Sequence, residues 1–249
     1  MKKTLLFVCT IISVACAAQV PTATNATRVV SADDLSLNDQ IVDNKYANFA
    51  FYDASDNQTY AFNSKTGEWV SQAGGISKDG KIVASKGNFA FYNASDNKTY
   101  AFSSIKNLWA SQAGGNTKEN TITGSNGNFV FYNVSDNKTY AFNSETGLWV
   151  GQTGGNPKRS STLVSSNGNF AFYNIMDNTT YAFNSKTGEW VGQKGGSNKS
   201  ETIIGANGNF AFYDTSRNTI YVFNKTTNTW IGQDGGTVTS GTIILSESN

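Results

Sequence analysis

NFAFYNASDNKTYAF, residues Asn88 to Phe102, is the stretch that decides the fold. Near-copies of it begin at Asn48, Asn128, Asn169 and Asn209. The five tryptophans, Trp69, Trp109, Trp149, Trp190 and Trp230, follow the copies at spacings of 40, 40, 41 and 40 residues. Aligned on them, every copy carries three Phe, two Tyr and one Trp, which accounts for 30 of the 32 aromatic residues. Nearly all large apolar surface thus belongs to the repeat, and no second core remains. A period near 40 residues is that of propeller blades or helical arrays.

The pattern within a copy separates these two. Asn-Phe-Ala-Phe-Tyr and Thr-Tyr-Ala-Phe-Asn are short aromatic runs with strand propensity and no helical period. In the third copy the expected strands are Thr121 to Thr123, Phe129 to Tyr132, Tyr140 to Asn143 and Leu148 to Gln152. Asn126-Gly127 between the first two is a type I′ hairpin signal. Val134-Ser135-Asp136-Asn137 and Ser144-Glu145-Thr146-Gly147 are the other turns, and Gly154-Gly155 ends the unit. Each copy therefore predicts four antiparallel strands.

Side chains alternate faces along a strand, so Phe129 and Phe131 point one way and Val130 and Tyr132 the other. Both faces are apolar and each needs a cover. Open stacks of repeats carry polar outer faces on their end copies, yet the first and fifth copies hold the same six aromatics as the middle ones. A closed ring has no ends, and the expected fold is an all-β, five-bladed β-propeller of four-stranded antiparallel blades. The repeat cores are 48–75, 88–115, 128–155, 169–196 and 209–236, within a propeller of residues 39–249. Ile41-Val42 is a weak version of the strand that precedes each copy, and 242–245 (Thr-Ile-Ile-Leu) is a candidate closing strand. Residues 19–38 are polar and read as a flexible segment.

Tyr221-Val222-Phe223-Asn224-Lys225-Thr226-Thr227-Asn228-Thr229-Trp230 resembles the Y-x-F-D-x-x-T-x-x-W segment of kelch and galactose-oxidase-type blades. The match covers the third and fourth strands of each unit. Gly74-Gly75 and its counterparts follow the Trp strand, whereas the kelch Gly-Gly ends the second strand. Small five-bladed lectins of the tachylectin type are similar in blade number and in Trp and Gly richness. These resemblances imply a β-propeller and, for the second, sugar binding.

Residues 1–18 read as a signal peptide: Lys2 and Lys3, an apolar run from Leu5 to Val14, then small residues, with cleavage after Ala18. The apolar run is too short to span a bilayer, which takes about 20 residues. Cys9 and Cys16 both lie there, so the mature chain would have no thiol. Ser13-Val14-Ala15-Cys16 loosely resembles a lipobox, which leaves a surface lipoprotein anchored at Cys16 as the alternative to a secreted or periplasmic protein. Net charge is +1, and −1 without Lys2 and Lys3 (17 basic minus 18 acidic), so nucleic acid is not an expected partner.

The chain has no histidine, which removes the commonest general base and metal ligand. Galactose-oxidase copper chemistry does not transfer. Glu68 and Glu189 occupy equivalent places and are the carboxylates a hydrolase would use. The Asp-Asn pairs at 56–57, 96–97, 136–137 and 177–178 suit hairpin tips better than calcium, and the fifth copy has Arg217-Asn218 there. Lys78, Lys118, Lys158 with Arg159, and Lys199 could form a basic crown or could be ordinary solvated loops. Nine Asn-x-Ser/Thr sequons occur, at Asn25, Asn57, Asn93, Asn97, Asn133, Asn137, Asn178, Asn198 and Asn224.

The strongest repeated polar feature is Trp-x-x-Gln-x-Gly-Gly. The candidate ligand-binding residues are Trp69 with Gln72, Trp109 with Gln112, Trp149 with Gln152, Trp190 with Gln193, and Trp230 with Gln233. An aromatic ring under the apolar face of a sugar and an amide on its hydroxyls would suit carbohydrate, and up to five weak sites give avidity. The competing reading makes each Trp an inter-blade wedge and each Gln a partner of buried backbone. The expectation is a monomeric, non-enzymatic lectin-like module with no cofactor or metal, binding a glycan or surface glycoprotein. A protein-interaction platform is the alternative.

Overall fold

A computed structural model describes residues 27–28, 47–75, 81–115, 122–155, 163–196, 203–235 and 243. The chain is all-β. Five antiparallel four-stranded sheets, each one sequence repeat of about 40 residues, stand as five propeller-type blades. The signal segment, Cys16, Ile41-Val42 and the basic residues weighed as a crown or as solvated loops lie outside the described residues.

Blade 3 shows how a repeat folds. Its strands are Thr123–Ser125, Asn128–Asn133, Lys138–Asn143 and Leu148–Thr153. The first lies two residues later than the sequence suggests. Asn126 and Gly127 both take positive φ, 44° and 86°, the two-residue turn that Asn-Gly favours, so pairing begins directly beside it with Asn128 opposite Ser125. Asn137 at the next turn is also left-handed, with φ 55°, as its short polar side chain tolerates.

Blade 1 differs. Thr27–Arg28, within the segment expected to be a flexible tail, pairs antiparallel with Phe51 and Tyr52 and takes the inner position. The run Thr27-Arg28-Val29-Val30 is rich in β-branched residues, a local strand preference hidden by the polar composition around it. Of the expected closing strand, Ile243 is described and is not in a strand.

Each blade has two unlike faces. Phe129, Phe131, Tyr140, Phe142 and Trp149 share one, with ring centroids 5.2–6.3 Å apart. The other carries small residues, in blade 3 Val130, Ala141 and Val150. The core consists of four junctions in which the aromatic face of one blade seats on the small face of the blade before it. Ala50, Ala61 and Val70 of blade 1 thus receive Phe89, Phe91, Phe102 and Trp109 of blade 2. Blades 2 to 5 repeat the arrangement.

The seam between blades 5 and 1 is open among the described residues. Phe49 and Trp69, on the aromatic face of blade 1, are 47% and 40% exposed. Val222 and Ile231, on the small face of blade 5, are 42% and 56% exposed. The expectation that end copies without polar faces close on each other meets two apolar end faces that are uncovered.

Candidate functional site

Glycine placement explains why the outer strand ends as it does. A Cβ on Gly154 would stand 2.4 Å from the side chain of Asn174 in the next blade, and Gly74, Gly114 and Gly195 meet Asn93, Asn133 and Asp214 alike. The first glycine of each of these pairs therefore admits the neighbouring blade, and the second lies closest to a Tyr or Thr of its own blade.

Trp and Gln of one repeat do not share a cleft. They are three residues apart on a strand, an odd offset that puts them on opposite faces. Trp109 faces blade 1 and donates its Nε1–H to the Val70 carbonyl at 3.0 Å. Trp149, Trp190 and Trp230 make the same bond to Ala110, Val150 and Val191 at 3.3, 3.1 and 3.0 Å. The ring edge meets one Phe of its own blade and its plane tilts on another. In geometry each of these four Trp is an inter-blade wedge, while Trp69 has no such neighbour and no hydrogen bond among the described residues.

Gln72 lies on the same face as Val70, so its cleft partner is Trp109 of the next blade. Gln112 likewise goes with Trp149, Gln152 with Trp190 and Gln193 with Trp230, which leaves Trp69 and Gln233 alone at the two ends. Strand parity and blade order thus turn four Gln and four Trp of adjacent repeats toward the same four junctions. The five Gln side chains each donate only to the carbonyl of the following residue, at 3.1–3.5 Å. No buried backbone group claims them, and no amide oxygen of this row has a hydrogen-bond partner among the described residues.

The hairpin tips hold a feature the sequence analysis passes over. Each Asp-Asn pair is gripped by two tyrosines from opposite faces. Tyr52, Tyr92, Tyr132, Tyr173 and Tyr213 donate to Asn57, Asn97, Asn137, Asn178 and Asn218 at 2.6–2.9 Å. Tyr60, Tyr100, Tyr140 and Tyr181 donate to Asp56, Asp96, Asp136 and Asp177 at 2.5–2.8 Å. The fixed offsets of five and four residues were the available signal. In blade 5 Arg217 replaces the Asp and turns to Asp214 at 2.7 Å; burial raises that carboxyl, but the hydrogen bonds from Ser216 and Arg217, with the Arg217 charge, outweigh it and hold it below its usual range.

The Asp-gripped phenols are pushed up to about 12, for Tyr60 chiefly by the hydrogen bond to Asp56. For Tyr100, Tyr140 and Tyr181 burial leads and the Asp contact follows. These groups hold their protons more tightly folded than unfolded, where a phenol titrates near 10. The stability this confers is complete below about pH 10 and lost as pH rises toward 12. An alkaline titration followed by phenolate absorbance and far-ultraviolet circular dichroism should show four late tyrosines ionising together with loss of the sheet signal. Asp96→Asn should bring one of them forward.

Glu68 and Glu189 accept hydrogen bonds from Asn107 and Asn228 of the following blades, at 2.6 and 3.1 Å. They brace blade junctions.

No protein-family model matches this chain, and no curated protein matches it. Among solved structures, Hsv2 from Kluyveromyces lactis is similar at 12% identity and TM-score 0.33, over 72% of this chain and 57% of that one. A version of it with loop 6CD replaced by a Gly-Ser linker reaches 14% and 0.34, over 78% and 66%. A protein from Bacteroides fragilis, described as exported, reaches 12% and 0.27, over 75% and 68%. The chain spans less than two thirds of the Hsv2 chains it resembles. Identity and superposition this low bring no ligand or partner across.

Proposed function

We propose that this chain is a secreted, non-enzymatic binding module that takes carbohydrate in the clefts between the outer strands of its blades. The observation that carries the reading is the row of glutamines whose amide oxygens are unengaged among the described residues, four of them on the blade face turned toward the Trp of the next blade. An amide oxygen accepts from a sugar hydroxyl, and the exposed rim of an indole offers apolar surface to a ring carbon face. Sheets packed face to face recur at about 10 Å, so the row suits a polymeric glycan with a matching repeat better than a single sugar. Linked weak sites gain about 10²–10⁴ in avidity. Secretion rests on the basic, apolar and small-residue order of residues 1–18, with Cys16 as a lipid anchor in the alternative reading. The absence of histidine from all 249 residues supports a role without catalysis.

A glycan array is the test. Binding should appear on extended polysaccharides and be weak on monosaccharides. A neutral hydrogen bond contributes about 0.5–1.5 kcal/mol, so the triple variant Gln112→Ala, Gln152→Ala, Gln193→Ala should lose at least about tenfold. A blank array at high protein concentration rejects the proposal.

A protein partner is the second reading. Ile105, Leu108 and Leu148 are exposed on blades 2 and 3, where blades 1 and 4 carry Lys65, Glu68, Lys186 and Glu189. Apolar side chains grouped in this way suit a docking surface. Capture of a partner that survives sugar competition and fails with Leu108→Lys, Leu148→Lys would favour it.

A further inference from the structure

Each internal junction is held by the same three inter-blade bonds. The Trp indole donates back to an outer-strand carbonyl, at Val70, Ala110, Val150 and Val191. The Asn that opens the second strand donates forward to a glycine carbonyl: Asn48 to Gly87, Asn88 to Gly127, Asn128 to Gly168 and Asn169 to Gly208, at 2.7–2.9 Å. The residue that closes the third strand donates forward to a turn carbonyl: Asn63 to Ser104, Ser103 to Ser144, Asn143 to Ser185 and Asn184 to Lys225, at 2.6–2.8 Å.

At the seam all three donors are present and idle. Among the described residues, Trp69 Nε1, Asn209 Nδ2 and Asn224 Nδ2 make no hydrogen bond. By the repeat register their acceptors would be the carbonyls of Ile231, Ala47 and Ser64. Gly235 tells the same story. Its counterparts are crowded by the next blade, yet a Cβ here would meet nothing within 4 Å. The small face of blade 5 is also bulkier, with Val222 and Ile231 where the other blades carry Ala or Val, the reverse of a polar cap.

We propose that the occupant of this seam is a second copy of the chain, blade 1 of one molecule seated on blade 5 of the next. The shape of the four existing junctions favours a neighbouring molecule over the chain's own first blade. Successive blades approach with Cα atoms within 8 Å along their inner strands from blade 2 onward, and along their outer strands throughout. A four-stranded sheet is about 14 Å wide, so closing five blades in a circle, at about 72° each, would splay the outer edges by about 17 Å more than the inner ones. Junctions that keep both edges close carry the end faces away from each other. The contact is head-to-tail, which does not close on itself and builds an open series. The protein would then not be the monomer that the sequence suggests.

Sedimentation velocity over a range of concentrations tests this with the wild type, Ile231→Lys, Phe49→Glu and an equimolar mixture of the two variants. Both substitutions fall on exposed positions, and unchanged circular dichroism checks that each variant folds. The wild type should grow with concentration into a ladder of species. Each variant alone should lose every species above monomer, because a junction needs both faces. The mixture should recover a dimer and nothing larger, since one intact blade 5 face meets one intact blade 1 face. A wild type that stays monomeric throughout, as intramolecular closure requires, overturns the proposal. So does a dimer formed by either variant alone, or a mixture that stays monomeric.

Discussion

Phe142→Ala should cost about 3–5 kcal/mol of stability, the usual range for emptying a fully buried aromatic site. The Phe142 side chain is completely buried. Its ring lies 5.2 Å from Trp149 and 6.3 Å from Phe129, and it packs on Ala90 and Ala101 of the preceding blade. Truncation would open a cavity at a junction and weaken the wedge beside it. Phe62 occupies the same place in blade 1, with the same neighbours of its own blade but no blade in front of it. Since part of its surface is already in water, Phe62→Ala should cost clearly less. Denaturant unfolding at low protein concentration, followed by Trp fluorescence and circular dichroism, reads both. Repeat arrays unfold by nearest-neighbour coupling, so midpoints should be compared within one probe. Equal losses would mean that the aromatic face of blade 1 is covered.

Gly154→Ala carries the second large effect. Gly154 has φ 101°, where an L-residue costs about 1–2 kcal/mol. Its new Cβ would also be driven against buried Asn174, and overpacking costs about 1–3 kcal/mol. Together these predict about 2–5 kcal/mol. Gly235 has a nearly equal φ, 109°, with open space beside it. Gly235→Ala should therefore show the backbone cost alone, and the difference between the two measures the closeness of one blade to the next. If the two substitutions cost the same, the Gly-Gly is a backbone requirement and nothing more.

The repeat period, the four strands and their aromatic content could be read from the sequence because each is local and recurs five times. The parity of Trp and Gln was legible too: three residues along a strand change face, so a cleft joining Trp69 to Gln72 was excluded by the spacing itself. What the spacing could not say is which neighbour completes the cleft, since that depends on blade order in space. The Gly-Gly role was hidden for the same reason, because its crowding partner is an Asn about 20 residues downstream. The inner strand of blade 1 is two residues long and lies upstream of a 20-residue gap, too little pattern to detect. The uncapped ends were visible as composition, but the same composition fits closure and continuation alike.

The unlike faces of each blade have one more consequence. Removing Asn128 through Gly168 would join Gly127 directly to Asn169 and bring an aromatic face onto a small one, as before. Insertion of an extra unit would do the same. In an open series folding therefore leaves the number of units unconstrained, and gain or loss of whole repeats can lengthen or shorten the protein in whole steps without breaking a single contact type.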